Sequence, residues 1–290
     1  MGLKKRLTSG EFVVLAEMDT PKGVDISELI TNARRIKGRV DAVTVPDMDN
    51  GVMRMSAIGA AVLMQQQGLE AIMHVYGRDR NRMALQGDLL AAHVLGIQNM
   101  IVVKGETMAN GDHREAKSVD DLDALSLIGA IQSLQEGVDM AGFELKGAPS
   151  FTTGCTFGAC ADGKGEEQAF EAVREKIAAG AGFVVTPAVY DLDYFDAFLE
   201  KAKGLGVPII PTVFLIKSVG IARYISLNEP GAHMPEALIK RIRKAPDRDM
   251  ECLRIAGETV AAMKSRVQGV KIETVGWEHR LPAILDYAGL

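Results

Sequence analysis

Eight short apolar runs recur along the chain, with a helical stretch between each and the next. The clearest unit lies between residues 71 and 106. AIMHVY (71–76) is short and apolar, MALQGDLLAAHVLG carries apolar residues at helical spacing up to Gly96, and NMIVVKGE (99–106) is a second apolar run. Strand, helix, strand is the unit that builds parallel sheets. VVLAEM (13–18) and DAVTVPD (41–47) precede it as first and second strands. FELKGAPSF (143–151), GFVVTPAVYD (182–191), PIIPTVFL (208–215) and VKIETVGW (270–277) follow as fifth to eighth. Helices are expected over about 26–37, 121–136 and from near Glu166 to the Gly180 stop. Eight such alternations in 290 residues predict one domain, a single (β/α)8 TIM barrel spanning 1–290. A doubly wound open sheet is the alternative, disfavoured because no GxGxxG follows the first strand.

Composition narrows the function. The net charge of −5, without a long basic run, argues against a nucleic-acid or anionic-membrane surface. No apolar stretch is long enough for a membrane span, and MGLKKRLTSGEF lacks the apolar core of a signal peptide. Three cysteines, Cys155, Cys160 and Cys252, make no disulfide framework, so the expected compartment is the cytoplasm.

In parallel α/β folds, ligands bind where the strands end. In a barrel these ends share one mouth, here carrying Glu17, Asp47, His74, Lys104, Glu106, Pro187 and Trp277, with Gly105 beside Lys104. Carboxylates, an imidazole and an ammonium in a concave site suit general acid–base chemistry. Solvated loop charge is the plainer reading of Arg78, Asp79, Arg80 and Lys104. Glu17 stands in an apolar run whose alternation can point it inward, where burial raises a carboxyl pKa and makes it a proton donor. An ion pair at the barrel rim is the competing role. TTGCTFGACADGKG, read as the loop after the fifth strand, offers backbone N–H groups around Gly154 for a phosphate, or is a flexible loop. Its C-x4-C spacing suits a metal less well, and no metal is expected. The methionines, His93, His113 and Cys252 read as packing or solvent-facing residues.

Several segments, in this order, resemble the flavin-dependent methylenetetrahydrofolate reductase family, in its short bacterial form without a regulatory domain. They are DNGVMRMS, RDRNRMALQGDLLAAHVLGIQN with VVKGE, GDHREAKSVDDLD, TPAVYD, PTVFLIKSVGIARYISLNEPG and VGWEHRLPAILDYAGL. The resemblance implies reduction of 5,10-methylenetetrahydrofolate to 5-methyltetrahydrofolate with FAD, or FMN in its place. It implies that Glu17 is the acid that protonates a folate nitrogen. Ser56, His74, Lys104 and Gly105 would line the flavin, and Lys176 would meet its phosphates. Glu106 stands where the family usually has Asp beside flavin and pterin, and Pro187 where it usually has a pterin-bonding Gln. Trp277 stands where some members have an Arg near the folate tail. Electrons would come from NAD(P)H or from an electron-donating partner subunit, in a homo-oligomer or hetero-complex. A pterin-binding methyl-transfer component without flavin is the other class considered.

Overall fold

The computed structural model describes residues 2–105, 107–158 and 165–290. The strands are β1 (Val13–Glu17), β2 (Ala42–Val45), β3 (Ala71–Tyr76), β4 (Asn99–Val103), β5 (Thr152–Thr156), β6 (Phe183–Ala188), β7 (Ile209–Phe214) and β8 (Gly269–Glu273). They form one closed barrel in sequence order. Closure is parallel, with Leu15 of β1 beside Lys271 of β8, so the (β/α)8 expectation is met and the open sheet is excluded.

Each strand has two faces because side chains alternate at a period of two. The outward residues, such as Val14, Ala16, Val43, Val102 and Ile272, pack under the helices. The helix Ser27–Ile36 shows why: Leu29, Ala33 and Ile36 fall on one buried stripe. Inward residues fill the barrel. At its N-terminal end they are apolar: Val13, Leu15, Ala42, Ile72, Ile101, Phe183 and Ile210. Leu3 and Leu7, one turn apart on the helix Leu3–Ser9, join this cluster and plug that end. The Glu70 carboxylate accepts the Leu3 N–H at 2.9 Å and ties the plug to the barrel. Each aliphatic side chain removed from water here contributes roughly 1.5–3 kcal/mol.

The same alternation carried toward the C-terminal ends of the strands turns polar. Glu17, Thr44, His74, Thr212 and Lys271 follow Leu15, Ala42, Ile72, Ile210 and Gly269 two residues on, and all five are buried. Burying such groups costs free energy unless partners satisfy them. The upper layers therefore stabilise the fold less than the lower ones, and their composition points to use as a site.

The fifth strand is displaced from its expected place. Residues 143–151 form a loop in which Asp139 Oδ1 accepts the N–H groups of Ala141 and Phe143, leaving Phe143 mostly exposed. The strand is TTGCT, whose burial and threonine content outweigh the longer but Lys-, Gly- and Pro-interrupted run before it. Gly154 consequently lies inside a strand and not in a loop at the mouth. A Cβ on Gly154 would stand 2.3 Å from the Phe183 ring, so the glycine makes room for the largest side chain of the interior cluster. Residues 159–164 of the expected phosphate cradle, Cys160 included, lie outside the described residues.

Candidate active site

The inward polar residues line a cavity of about 390 Å³ at the C-terminal ends of the strands. Glu17 comes from β1, Asp49 from the loop after β2, His74 and Tyr76 from β3, and Lys104 and Gly105 from the end of β4. Thr156, Thr186, Pro187, Thr212, Lys271 and Glu273 complete the wall. Pro187 sits where the β6–β7 register slips between Thr186 and Ala188. A proline has no N–H for the ladder, so a bulge there is the expected accommodation. A second cavity, of about 340 Å³, shares Phe157, Gly158 and the 186–188 segment with the first. Its far wall is aromatic: Tyr190, Tyr194, Phe195 and Phe198.

Glu17 is buried at the floor. Lys271 Nζ donates to its Oε2 at 3.0 Å, and the Thr44 hydroxyl lies 3.5 Å from the same oxygen. Lys271 also pairs with Glu273, two residues along the same inward face of β8. Burial pushes the Glu17 carboxyl up to about 8, Lys271 opposes this, and Glu273, Asp49 and Asp19 reinforce it. Burial alone disfavours the Lys271 ammonium, yet Glu17 and Glu273 together outweigh it and hold the amine protonated. Two carboxyls around one ammonium, out of water, are most stable when one of them carries a proton. The cluster is thus an acid that is still loaded at neutral pH.

His74 is buried beside it. Its Nδ1 lies 3.5 Å from the Tyr76 hydroxyl, and its Nε2 has no protein partner. Burial, then the charge of Lys271, lower its pKa well below the ordinary value, so the ring is neutral. A buried polar atom without a partner calls for an explanation, and His74 is one of the residues lining the cavity. Gly105 has φ 80°, and a Cβ there would stand 2.8 Å from the Tyr76 ring, so a glycine is required at this edge of the mouth. Lys176, on the helix Glu166–Ala178, reaches the end of β5 and donates to the Thr156 carbonyl at 3.1 Å.

Ser56, Asp47, Arg78 and Trp277 are not among the residues lining the first cavity. Ser56 stands at the N-terminus of the helix Ala57–Gln66, half-buried, without a side-chain cap bond. Asp47 turns from the mouth to accept the Ala57 N–H at 3.1 Å and to pair with Arg80 at 2.7 Å. Arg78 pairs with Asp79 and donates to the Met48 carbonyl, fastening the loops after β2 and β3. Trp277 lies in the loop after β8, with Lys217 and Arg280 over its ring at 5.5 and 5.9 Å. Glu106 and Cys160 lie outside the described residues. Cys155 and Cys252 are buried free thiols that burial pushes up to about 11, leaving them unreactive at neutral pH. Sequence reasoning passed over Lys271, Glu273, Tyr76 and Thr212. The signal for two of them was legible: VKIE places a lysine and a glutamate at period two inside an apolar strand.

Fold and site together define a class: a TIM-barrel protein with a small-molecule site and a protonated buried acid at its mouth. The chain belongs to the methylenetetrahydrofolate reductase family, whose model matches residues 2–289. It is similar to methylenetetrahydrofolate reductase 2 of Schizosaccharomyces pombe, 24% identical over 251 residues. That match covers 80% of this chain but only 37% of the relative's length. Among solved structures, it resembles an uncharacterized protein from Clostridium thermocellum that binds two copies of 5-methyl-5,6,7,8-tetrahydrofolic acid. The TM-score is 0.65 at 15% identity, covering 99% of this chain and 97% of that one. EDTA monooxygenase from Chelativorans sp. BNC1 gives a TM-score of 0.55 at 10% identity, covering 96% and 94%. At these identities both show a shared fold. Among the described residues, no helix is long and apolar enough to cross a membrane, and no cluster of His, Cys, Asp or Glu has the makings of a metal site.

Proposed function

We propose that the protein reduces 5,10-methylenetetrahydrofolate to 5-methyltetrahydrofolate with a bound flavin. The observation that carries this is Glu17, a carboxyl buried in the wall of an open mouth 3.0 Å from Lys271 Nζ, where burial pushes its pKa up to about 8. Opening the methylene bridge requires a proton on a folate nitrogen, and in this reading Glu17 gives it. Family membership supports the reaction, and the Clostridium protein that shares the fold binds 5-methyl-5,6,7,8-tetrahydrofolic acid, the proposed product.

A flavin fits the residues present. The mouth is large enough for a planar ring system, His74 in its wall has a ring nitrogen without a protein partner, and Gly105 keeps one edge low. Ser56, His74, Lys104, Gly105 and Glu106 would hold the ring end, and Lys176 the phosphates of FAD or FMN. The flavin supplies the hydride when bound. Pro187 and Trp277 are the remaining folate-side residues of this reading. Electrons come from NAD(P)H or from a partner subunit, and the chain acts in the cytoplasm as a homo-oligomer or within a hetero-complex.

The test is the absorption spectrum of the purified protein. A flavin band that bleaches with NAD(P)H and returns when methylenetetrahydrofolate is added, with methyltetrahydrofolate formed, is the expected result. A colourless protein that takes up neither FAD nor FMN overturns the reading.

A further inference from the structure

The register of the barrel seam puts two carboxylates side by side. Leu15 pairs with Lys271 and Ala16 with Ile272, so the next rung sets Glu17 against Glu273 on neighbouring strands. Two rungs below, on the same face, Lys271 reaches both. The two carboxyls are not equivalent. Glu17's side chain is 8% exposed, Glu273's is 23%. Glu273 therefore keeps more water and is the easier of the two to leave ionised.

We propose that Lys271 and Glu273 are positioning residues that reserve a proton on Glu17: Glu273 holds the Lys271 ammonium, leaving Glu17 as the carboxyl that stays protonated until substrate arrives. The inference rests on the folate-reductase reading of the mouth. When Glu17 gives up its proton, its O–H bond breaks and a lone pair on the substrate amine nitrogen forms the new N–H bond. The carboxylate left behind is neutralised by the same ammonium, already 3.0 Å away. The triad passes from neutral to one net negative charge, which faces the positive charge that the proton carries to the substrate. Lys271 thus serves both states, held by Glu273 before transfer and by Glu17 after it.

The surrounding groups leave this role to the triad. From β1 and its loop, Glu17 faces Asp19, which burial pushes up to about 6. From β2 and its loop come Thr44 and Asp49, and from β8 Lys271 and Glu273. β3 brings His74, held neutral by burial, and Tyr76, whose hydroxyl burial keeps protonated far above neutrality. Lys104, at the end of β4, is exposed at the rim of the same cavity. Lys271 is the one ammonium buried against Glu17 among the described residues.

Infrared difference spectroscopy of the folate-free protein reads the proton directly. A carboxylic-acid carbonyl band that Glu17→Gln removes is expected at neutral pH. In Glu273→Gln the ammonium turns wholly to Glu17, and the titration of that band moves down by about one pH unit or more. In Lys271→Met it moves up, and in Lys271→Arg it stays near wild type. The alkaline limb of the folate half-reaction should move with the band in each variant. A Glu273→Gln titration that coincides with wild type, or no acid band in wild type, overturns the inference. If Lys271→Met does not fold, the Glu273→Gln comparison decides alone. Failure here is distinct from failure of the function: Glu17→Gln that still reduces methylenetetrahydrofolate sinks the folate reading, whatever the infrared band does.

Discussion

Lys271 Nζ lies 3.0 Å from Glu17 Oε2, though the two residues are 254 positions apart in the chain. The pair spans the seam where β8 closes on β1, so the acid of the site exists only in the closed barrel. Its consequences can be measured separately from those of the proposed flavin and of the packing beneath.

Glu17→Gln should leave flavin binding and flavin reduction by the donor close to wild type. Methylenetetrahydrofolate reduction should fall by about 10²–10⁴, the usual contribution of a general acid. Stopped-flow measurement of each half-reaction checks this. Equal loss in both would make Glu17 a structural residue.

Stability should depend on pH through the same carboxyl. Folded Glu17 keeps its proton up to about 8, whereas the unfolded group releases it near its ordinary value of 4.5. Between those values the folded state binds more protons, so stability declines as pH rises and levels off above the window. Glu17→Gln stays uncharged and lacks this contribution. Melting temperatures from about pH 5 to about pH 9 should fall more steeply for wild type than for the variant. Asp19, pushed up to about 6, adds a decline common to both proteins at the lower end. Parallel curves would show that Glu17 ionises normally in the fold.

Gly154→Ala should destabilise the barrel. The new methyl would stand 2.3 Å from the Phe183 ring, and overpacking of this kind costs about 1–3 kcal/mol. Denaturant unfolding measures the loss. Adding Phe183→Leu should recover part of it, and additive losses in the double variant would disprove the steric account.

Lys176→Ala should weaken flavin affinity by roughly tenfold or more, the worth of a charge-assisted phosphate contact of about 1.5–3 kcal/mol. Titration of the apoprotein with FAD and with FMN reads it. Unchanged affinity for both would confine Lys176 to its bond with the Thr156 carbonyl.

Donor and folate should take turns in one mouth, which holds Glu17, His74 and Lys104 together. Initial rates at several donor concentrations should then give parallel lines. Intersecting lines would place the donor elsewhere, as delivery through a partner subunit requires.

What the chain's own pattern determined is the alternation of strand and helix, and with it the barrel. It is a local property: apolar runs, helical stripes and Gly stops are set by neighbours a few residues apart, and seven of the eight strand runs overlap the strands that form. Glu17 and His74 were legible as residues of the mouth because each interrupts an apolar strand with a polar group. The fifth strand was misplaced because its five residues carry a glycine at their centre and no aliphatic or aromatic side chain, a weak pattern until Phe183 is packed against it. The tertiary structure alone decided which polar residues meet. Asp47 and Arg78 stand at strand ends like the others, yet they tie loops. Lys271 and Glu273 became part of the acid only when β8 found β1. A carboxyl's proton affinity depends on the charges and water around it in space, and those are fixed by the register at which distant strands close, which no local run of residues encodes.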